Sequence, residues 1–377
     1  MGGSRRRAVR ALAALAAVVL VLAVSVLVFQ RFLAEPPRET MARERATDFL
    51  DRYVAADGRV VRLDQGGDTV SEGQGYGMLL AVVAGDEDRF EAIWSWARDE
   101  LQRGDGLLAW HWQDGTVVDD MPASDADLEV AWALLLGAER FDRPEWREEA
   151  LQLGDAVLDG MTVRTQGRLV LAAGPWATDD PVVVNPSYLI PSVFEELGAA
   201  TGDGRWQQLW DGSHELLAEL TDGGRRLPPD WALLSMAGVE AVDGPEGGGS
   251  GRYGLDAARV PVRLATSCAP EDRALAGSLW DLLDQLDDDG ARVAYELTGE
   301  PAADSLNPLG LVAAAGAAAA AGEDARAQSL VERADRLSDA HPSYYGQAWA
   351  ALGRALLSTA LLTDCPPGLV QEDTGGR

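Results

Sequence analysis

No lysine occurs in this 377-residue chain; all 32 basic residues are arginine. That absence removes the lysine of a nucleotide-binding phosphate loop, a Schiff-base lysine and the kinase lysine together. Histidine is almost as scarce: His111, His214 and His341 are scattered and form no HExxH pair. With Cys268 and Cys365 as the only thiols, no Cys/His zinc cluster can be assembled, and no metal or other cofactor is implied. Outside the cytoplasm those two cysteines could pair, but their spacing alone leaves both a disulfide and two buried thiols open.

Positive charge is in short supply overall, 32 basic against 61 acidic residues, for a formal net charge of −29. Binding to nucleic acid or anionic lipid needs clustered basic side chains, so nucleic acid is excluded as a partner. A neutral polymer would meet no repulsion. The exception to the acidic trend is the N-terminus, where Arg5, Arg6, Arg7 and Arg10 precede an apolar run from Ala11 to Phe29 broken only by Ser25. At ~1.5 Å per residue, that run matches a ~30 Å hydrocarbon core, and the arginines favour a cytoplasmic N-terminus. The sequence therefore reads as a basic cytoplasmic segment 1–10, a transmembrane signal-anchor 11–29, a linker 30–42 containing Pro36-Pro37, a main body 43–362 and a C-terminal tail 363–377. A cleaved signal peptide is the competing reading, with Ala23-Val24-Ser25 a poor cleavage site inside a continuing apolar run. Either way, the main body lies outside the cytoplasm.

Helical periodicity dominates that body. Twelve stretches carry it: Met41–Val54, Gly77–Ala84, Arg89–Leu101, Ser124–Arg140, Glu145–Leu158, Pro186–Ala200, Arg205–Leu220, Ala257–Ser267, Pro270–Leu286, Ser305–Ala321, Glu323–Ser338 and Tyr344–Thr359. Strand signals are confined to Arg59–Leu63, Leu107–Trp112 and Val163–Ala172. Helix pairs without alternating strands argue against a doubly wound sheet and for an all-α toroid of helical hairpins with a few short strands. The Gly-rich stretch Asp243–Gly251 reads as a tolerated surface insertion or a mobile loop near a site.

Three segments set acids among small and apolar residues, unlike a solvated charge run: Ser71-Glu72-Gly73-Gln74-Gly75-Tyr76-Gly77, Ala123-Ser124-Asp125-Ala126-Asp127 and Leu255-Asp256-Ala257-Ala258-Arg259. Cleaving a glycosidic bond needs one carboxyl group that keeps its proton and another that stays ionised. Burial among small and aromatic neighbours is one way to hold a proton on a carboxyl, and Arg259 beside Asp256 favours the ionised form. The glycines after Glu72 would let a sugar approach the backbone. Positions 125 and 129 share a helix face while 127 points elsewhere, so Asp127 reads as structural.

These segments, with Asn185-Pro186-Ser187-Tyr188, Pro228-Pro229-Asp230-Trp231 and Tyr344-Tyr345-Gly346-Gln347 in order after them, resemble glycoside hydrolase family 8. The resemblance spans roughly residues 45–360. Leu108-Ala109-Trp110-His111-Trp112 and the Ser-Asp-Ala-Asp form are similar to family members that accompany bacterial cellulose synthesis. It implies an (α/α)6 barrel, endo-cleavage of a β-1,4-glucan with inversion, and possible association with a polysaccharide synthesis system. By motif, Glu72 would be the general acid, Asp256 the general base, and Asp125 would hold the sugar and the attacking water. Trp110, Trp176, Tyr188 and Tyr345 would line the sugar path with Arg259. Two departures stand out: Leu255 replaces a common Tyr before the base, and Val262 stands where an aromatic is frequent. Chitosan, xylan and mixed-linkage β-glucan are alternative substrates, and a non-hydrolytic polysaccharide-binding protein or a lyase are alternative functions.

Overall fold

Helices whose apolar residues run right round them must be enclosed, whereas one-sided helices face solvent, and the two kinds alternate along this chain. A computed structural model describes residues 38–286 and 291–367. The chain divides after Met41: of the first unit only the opening turn of helix α1 (Arg38–Tyr53) is described, and the second unit holds everything from Ala42 on. The proposed anchor 11–29 and most of its linker lie outside the described residues. No helix among the described residues is long and apolar enough to cross a membrane.

Within the second unit, six helices form an inner ring: α2 (Ser71–Ala84), α4 (Ser124–Arg140), α6 (Pro191–Thr201), α8 (Val260–Ala265), α11 (Pro308–Ala320) and α13 (Tyr344–Ser358). Each packs on the next, and α13 closes the ring against α2. The outer helices α3 (Glu87–Leu101), α5 (Pro144–Gly160), α7 (Gly204–Leu220), the α9–α10 pair (Pro270–Ser278 and Trp280–Leu283) and α12 (Asp324–Ala340) pack on their inner neighbours. From Ala42 onward α1 completes the outer layer: Arg43 donates to the Val83 carbonyl at 2.9 Å, and Phe49 and Tyr53 pack on Tyr344. This is the toroid of helical hairpins that the pattern of helical pairs anticipates, in the (α/α)6 form that the resemblance implies.

Small residues set the spacing of the inner ring. The alanine-rich helix α11 is buried along its length, and a Cβ added at Gly316 would lie 3.1 Å from the Pro261 carbonyl and Val262 Cα. Only glycine lets α11 approach the backbone of α8 that closely. Cys268, just after α8, is joined by a disulfide to Cys365, beyond α13. That bridge settles the alternative the spacing of the cysteines left open.

The strands differ from the sequence expectation. Residues 59–63 contribute only isolated bridges to Val54 and Asp68. The first sheet is β1 (Thr69–Val70), β2 (His111–Gln113) and β3 (Thr116–Asp119). The stretch 163–172 is a hairpin, β4 (Thr162–Thr165) and β5 (Arg168–Leu171), because Gln166 and Gly167 take positive φ at its turn. A sheet not anticipated joins β6 (Val182–Val184), β7 (Trp231–Ser235) and β8 (Gly238–Val242), and β9 (Arg252–Tyr253) pairs with β10 (Tyr295–Glu296). Proline interrupts two expected helices. Residues 186–188 form a 3-10 turn before Pro191 starts α6, and Ala257–Arg259 form another before α8.

Candidate active site

Four inner helices, α2, α4, α6 and α8, begin without a side-chain cap, and of these α2 and α4 carry an acid in the first turn. Ser71 at the start of α2 instead donates its N–H to the Trp110 carbonyl at 2.9 Å, and Ser124 at the start of α4 to the Ala173 carbonyl at 3.0 Å. Loops and strands thus pin the helix ends, and the acids Glu72 and Asp125 are free to face the axis of the ring. Their helix N-termini favour negative charge.

One guanidinium gathers the acids. Arg259, held by the 3-10 turn before α8, donates from Nη1 to Asp125 Oδ2 at 2.9 Å and to Glu72 Oε1, and from Nη2 to Asp256 Oδ1 at 2.9 Å. It is 1% exposed, whereas the side chains of Glu72 and Asp256 are 25% and 33% exposed. The cation is therefore sealed beneath two carboxylates that reach solvent. Bonded to the two ends of one guanidinium, Glu72 and Asp256 stand no further apart than that group and two hydrogen bonds span. A separation within that bound lets both carboxyls reach one glycosidic bond.

Each carboxylate has a second constraint. Glu72 Oε1 also accepts from the Tyr76 hydroxyl at 2.6 Å, and Trp349 Nε1 donates to that hydroxyl at 3.1 Å. Oε2 is left as the oxygen able to meet a ligand. Asp256 Oδ2 accepts from Asn185 Nδ2 at 2.9 Å, and Asp125 Oδ1 from the Ala126 N–H at 2.9 Å. Burial holds the Asp125 carboxyl well above its ordinary range, against the pull of Arg259. Among the described residues no group of His, Cys, Asp and Glu is placed to hold a metal ion.

The other expected residues fall in two sets. Tyr188 lies under the Arg259 guanidinium, 5.5 Å from ring centroid to charge, and Tyr345 sits beside Tyr76 with ring centroids 6.4 Å apart. Both join the carboxylates. Trp110 and Trp176 make no contact with those carboxylates: the Trp110 carbonyl receives the Ser71 N–H at the start of α2, and Trp176 is 42% exposed in the 3-10 turn Pro175–Ala177. Asp127 is fully buried and accepts the Leu108 N–H at 2.9 Å, in keeping with a structural role. Tyr253 packs on Tyr295, so Leu255 gains no evident substitute from it.

One expectation needs correction. The glycines after Glu72 face other parts of the chain: a Cβ at Gly73 would strike the Tyr344 hydroxyl, one at Gly75 would lie 3.1 Å from Glu129 Cβ, and one at Gly77 would lie 2.7 Å from Val60 and 3.2 Å from Ile93 of α3. They serve helix packing rather than access for a sugar.

A family model for glycosyl hydrolases family 8 matches residues 22–354. The chain belongs to that family. It is a glycoside hydrolase. A probable endoglucanase of Novacetimonas hansenii is 36% identical over 237 residues, 61% of this chain and 68% of that one. An endoglucanase of Cellulomonas uda is 28% identical, and the match covers 57% of this chain and 60% of the relative. The solved endo-β-1,4-glucanase of Acetobacter xylinum superposes with a TM-score of 0.69 at 27% identity, covering 83% of this chain and 96% of that structure.

In this family-8 barrel the sequence reading missed a second layer, four residues after each of four site residues. Glu72 is followed by Tyr76, Asp125 by Glu129, Arg259 by Arg263 and Tyr345 by Trp349. Arg263 Nη2 donates to Glu129 Oε1 at 2.6 Å, and its guanidinium lies 5.6 Å from the centre of the Trp349 ring. The i,i+4 spacing was the available signal, but it took the fold to show that all four pairs face inward. Asn185 and Asp230 lay within quoted motifs without a role.

Burial raises several acids. Glu129 is pushed up to about 7 by burial despite Arg263, Glu196 to about 7 by burial despite its bond from Trp132, and Asp230 to about 7 by burial and the neighbouring Asp256. Each keeps its proton in the folded state at a pH where the unfolded chain has lost it. Their contribution to stability is complete below the ordinary Asp and Glu range and is lost as the pH rises through about 7. The acids held low, such as Asp68 and Asp339, lose their contribution only below their ordinary range. His214, raised by Asp272, acts in the same direction as the buried acids. The melting temperature is therefore expected to be several degrees lower at about pH 8 than at about pH 5, read by calorimetry at both; a higher value at alkaline pH would contradict this reading of the buried acids.

Proposed function

We propose that the chain is an inverting endo-glucanase acting on β-1,4-linked glucan, with Glu72 as general acid, Asp256 as general base and Asp125 holding the sugar and the attacking water. The observation that carries this is the single buried guanidinium of Arg259 joined to all three carboxylates at the N-terminal ends of the inner helices. Glu72 Oε2 would deliver the proton to the departing glycosidic oxygen. Asp256, oriented by Arg259 and Asn185, would take one from water on the opposite face of the ring, and the water oxygen would bond to the anomeric carbon as the glycosidic bond breaks. Tyr188, Tyr345, Trp110 and Trp176 would supply faces for successive sugars. The names of the Novacetimonas hansenii and Acetobacter xylinum relatives support a β-glucan as the polymer.

The fold leaves the polymer open, since a β-1,3-1,4-glucanase of Paenibacillus has the same fold at 20% identity, with a TM-score of 0.73. The basic N-terminus and apolar run support tethering to a membrane with the barrel outside the cytoplasm, where a polysaccharide synthesis system could receive it. The test is reducing-end release and viscosity of carboxymethyl cellulose, mixed-linkage β-glucan, xylan and chitosan with the full chain. Carboxymethyl cellulose should lose viscosity well before many ends appear. Cleavage of xylan or chitosan in preference to both glucans would overturn the assignment.

A further inference from the structure

Aspartate at the first position of a helical turn ordinarily bonds the turn's own N–H groups. Asp256 occupies that position before the Ala257–Arg259 turn, yet its side chain makes no such bond. The capping acceptor comes from elsewhere in the chain. Asp230, which follows Pro228-Pro229 at the start of β7, accepts the Gly254 N–H at 3.1 Å and the Ala257 N–H at 2.7 Å on the same oxygen, Oδ1. Those two donors bracket Leu255 and Asp256. Asp230 is itself anchored, its N–H donating to the Arg252 carbonyl at 2.8 Å. Gly254 is tied to this arrangement, because a Cβ there would collide with Asp230 Oδ2. Relieved of capping, both oxygens of Asp256 turn to Arg259 and Asn185.

We propose that Asp230 is the positioning residue of the base, capping the turn in place of Asp256 so that the Asp256 carboxylate faces the cleft. This rests on the reading of Asp256 as the base. Burial, and after it the neighbouring Asp256, raise the Asp230 carboxyl to about 7, so its part in the site is the two hydrogen bonds it accepts.

The experiment compares wild type with Asp230→Ala, Asp230→Asn and Asp256→Asn, by kcat and KM on soluble β-glucan across pH and by thermal melting. Asp230→Ala loses both capping bonds and should lose about 100-fold in kcat with KM little changed, as a base displaced by about 1 Å would. Asp230→Asn keeps an acceptor oxygen in the same place and should restore much of kcat. Asp230→Asn as inactive as Asp230→Ala overturns the proposal, as does Asp230→Ala with full kcat. Should the alanine variant fail to fold, the asparagine variant decides alone: a wild-type melting temperature with kcat lost overturns the proposal. An active Asp256→Asn would instead remove the base assignment itself, and with it the premise for Asp230.

Discussion

Glu72→Gln is expected to lower kcat on soluble β-glucan by roughly 10²–10⁴-fold, the usual contribution of a positioned general acid. The amide keeps the size of the side chain and an oxygen to accept from Tyr76, but has no proton to give the leaving group. Because Glu72 is one of several groups at the cleft, calorimetry should show oligosaccharide binding within a few-fold of wild type. Asp256→Asn should fail to a similar degree for the opposite reason, its neutral amide being too weak a base to take a proton from water. Turnover by Glu72→Gln near the wild-type rate, with binding intact, would remove the two-carboxylate reading however well the motifs match.

The second large effect concerns Arg259. Its guanidinium is bonded to Glu72, Asp125 and Asp256 together. Removing one partner of a buried ion pair typically costs about 3–5 kcal/mol, because the remaining charge stays buried. Arg259→Met is expected to cost that much in urea denaturation at neutral pH, since Asp125 is only 2% exposed. The loss should shrink at acid pH, where the stranded carboxyl takes a proton. Activity should disappear in the same variant, with Glu72 and Asp256 no longer held in register. Arg259→Lys should recover part of the stability and little of the activity, because a single ammonium cannot reproduce a planar fork with separate ends. A stable, active Arg259→Met would contradict the central place given to this residue.

Much of the architecture could be read from the chain because helical burial leaves a periodic trace. Twelve apolar repeats marked the pairs, and the near-continuous apolar run of Pro308–Ala320 matches its place in the inner ring. Strands of two to five residues leave no such trace. The β6–β7–β8 sheet joins segments about fifty residues apart, and its strands are stabilised by partners rather than by local preference. Glu72, Asp125, Asp256 and Arg259 were legible as acids and a cation in unusually apolar settings. Their meeting on one guanidinium was not, because it depends on the closure of a ring whose ends lie far apart in the chain. Asp230 was hidden for a related reason: its partners are backbone N–H groups, to which the identity of the side chains gives no clue.

The most direct measurement is the anomeric form of the first product, followed by proton NMR as a β-1,4-glucan is cleaved. If Glu72 and Asp256 act from opposite sides of the bond through one water, as proposed, the new reducing end appears first as the α-anomer and then mutarotates. Initial appearance of the β-anomer would mean that a carboxylate attacks the sugar directly, and would contradict the assignment of Asp256 as a base acting through water.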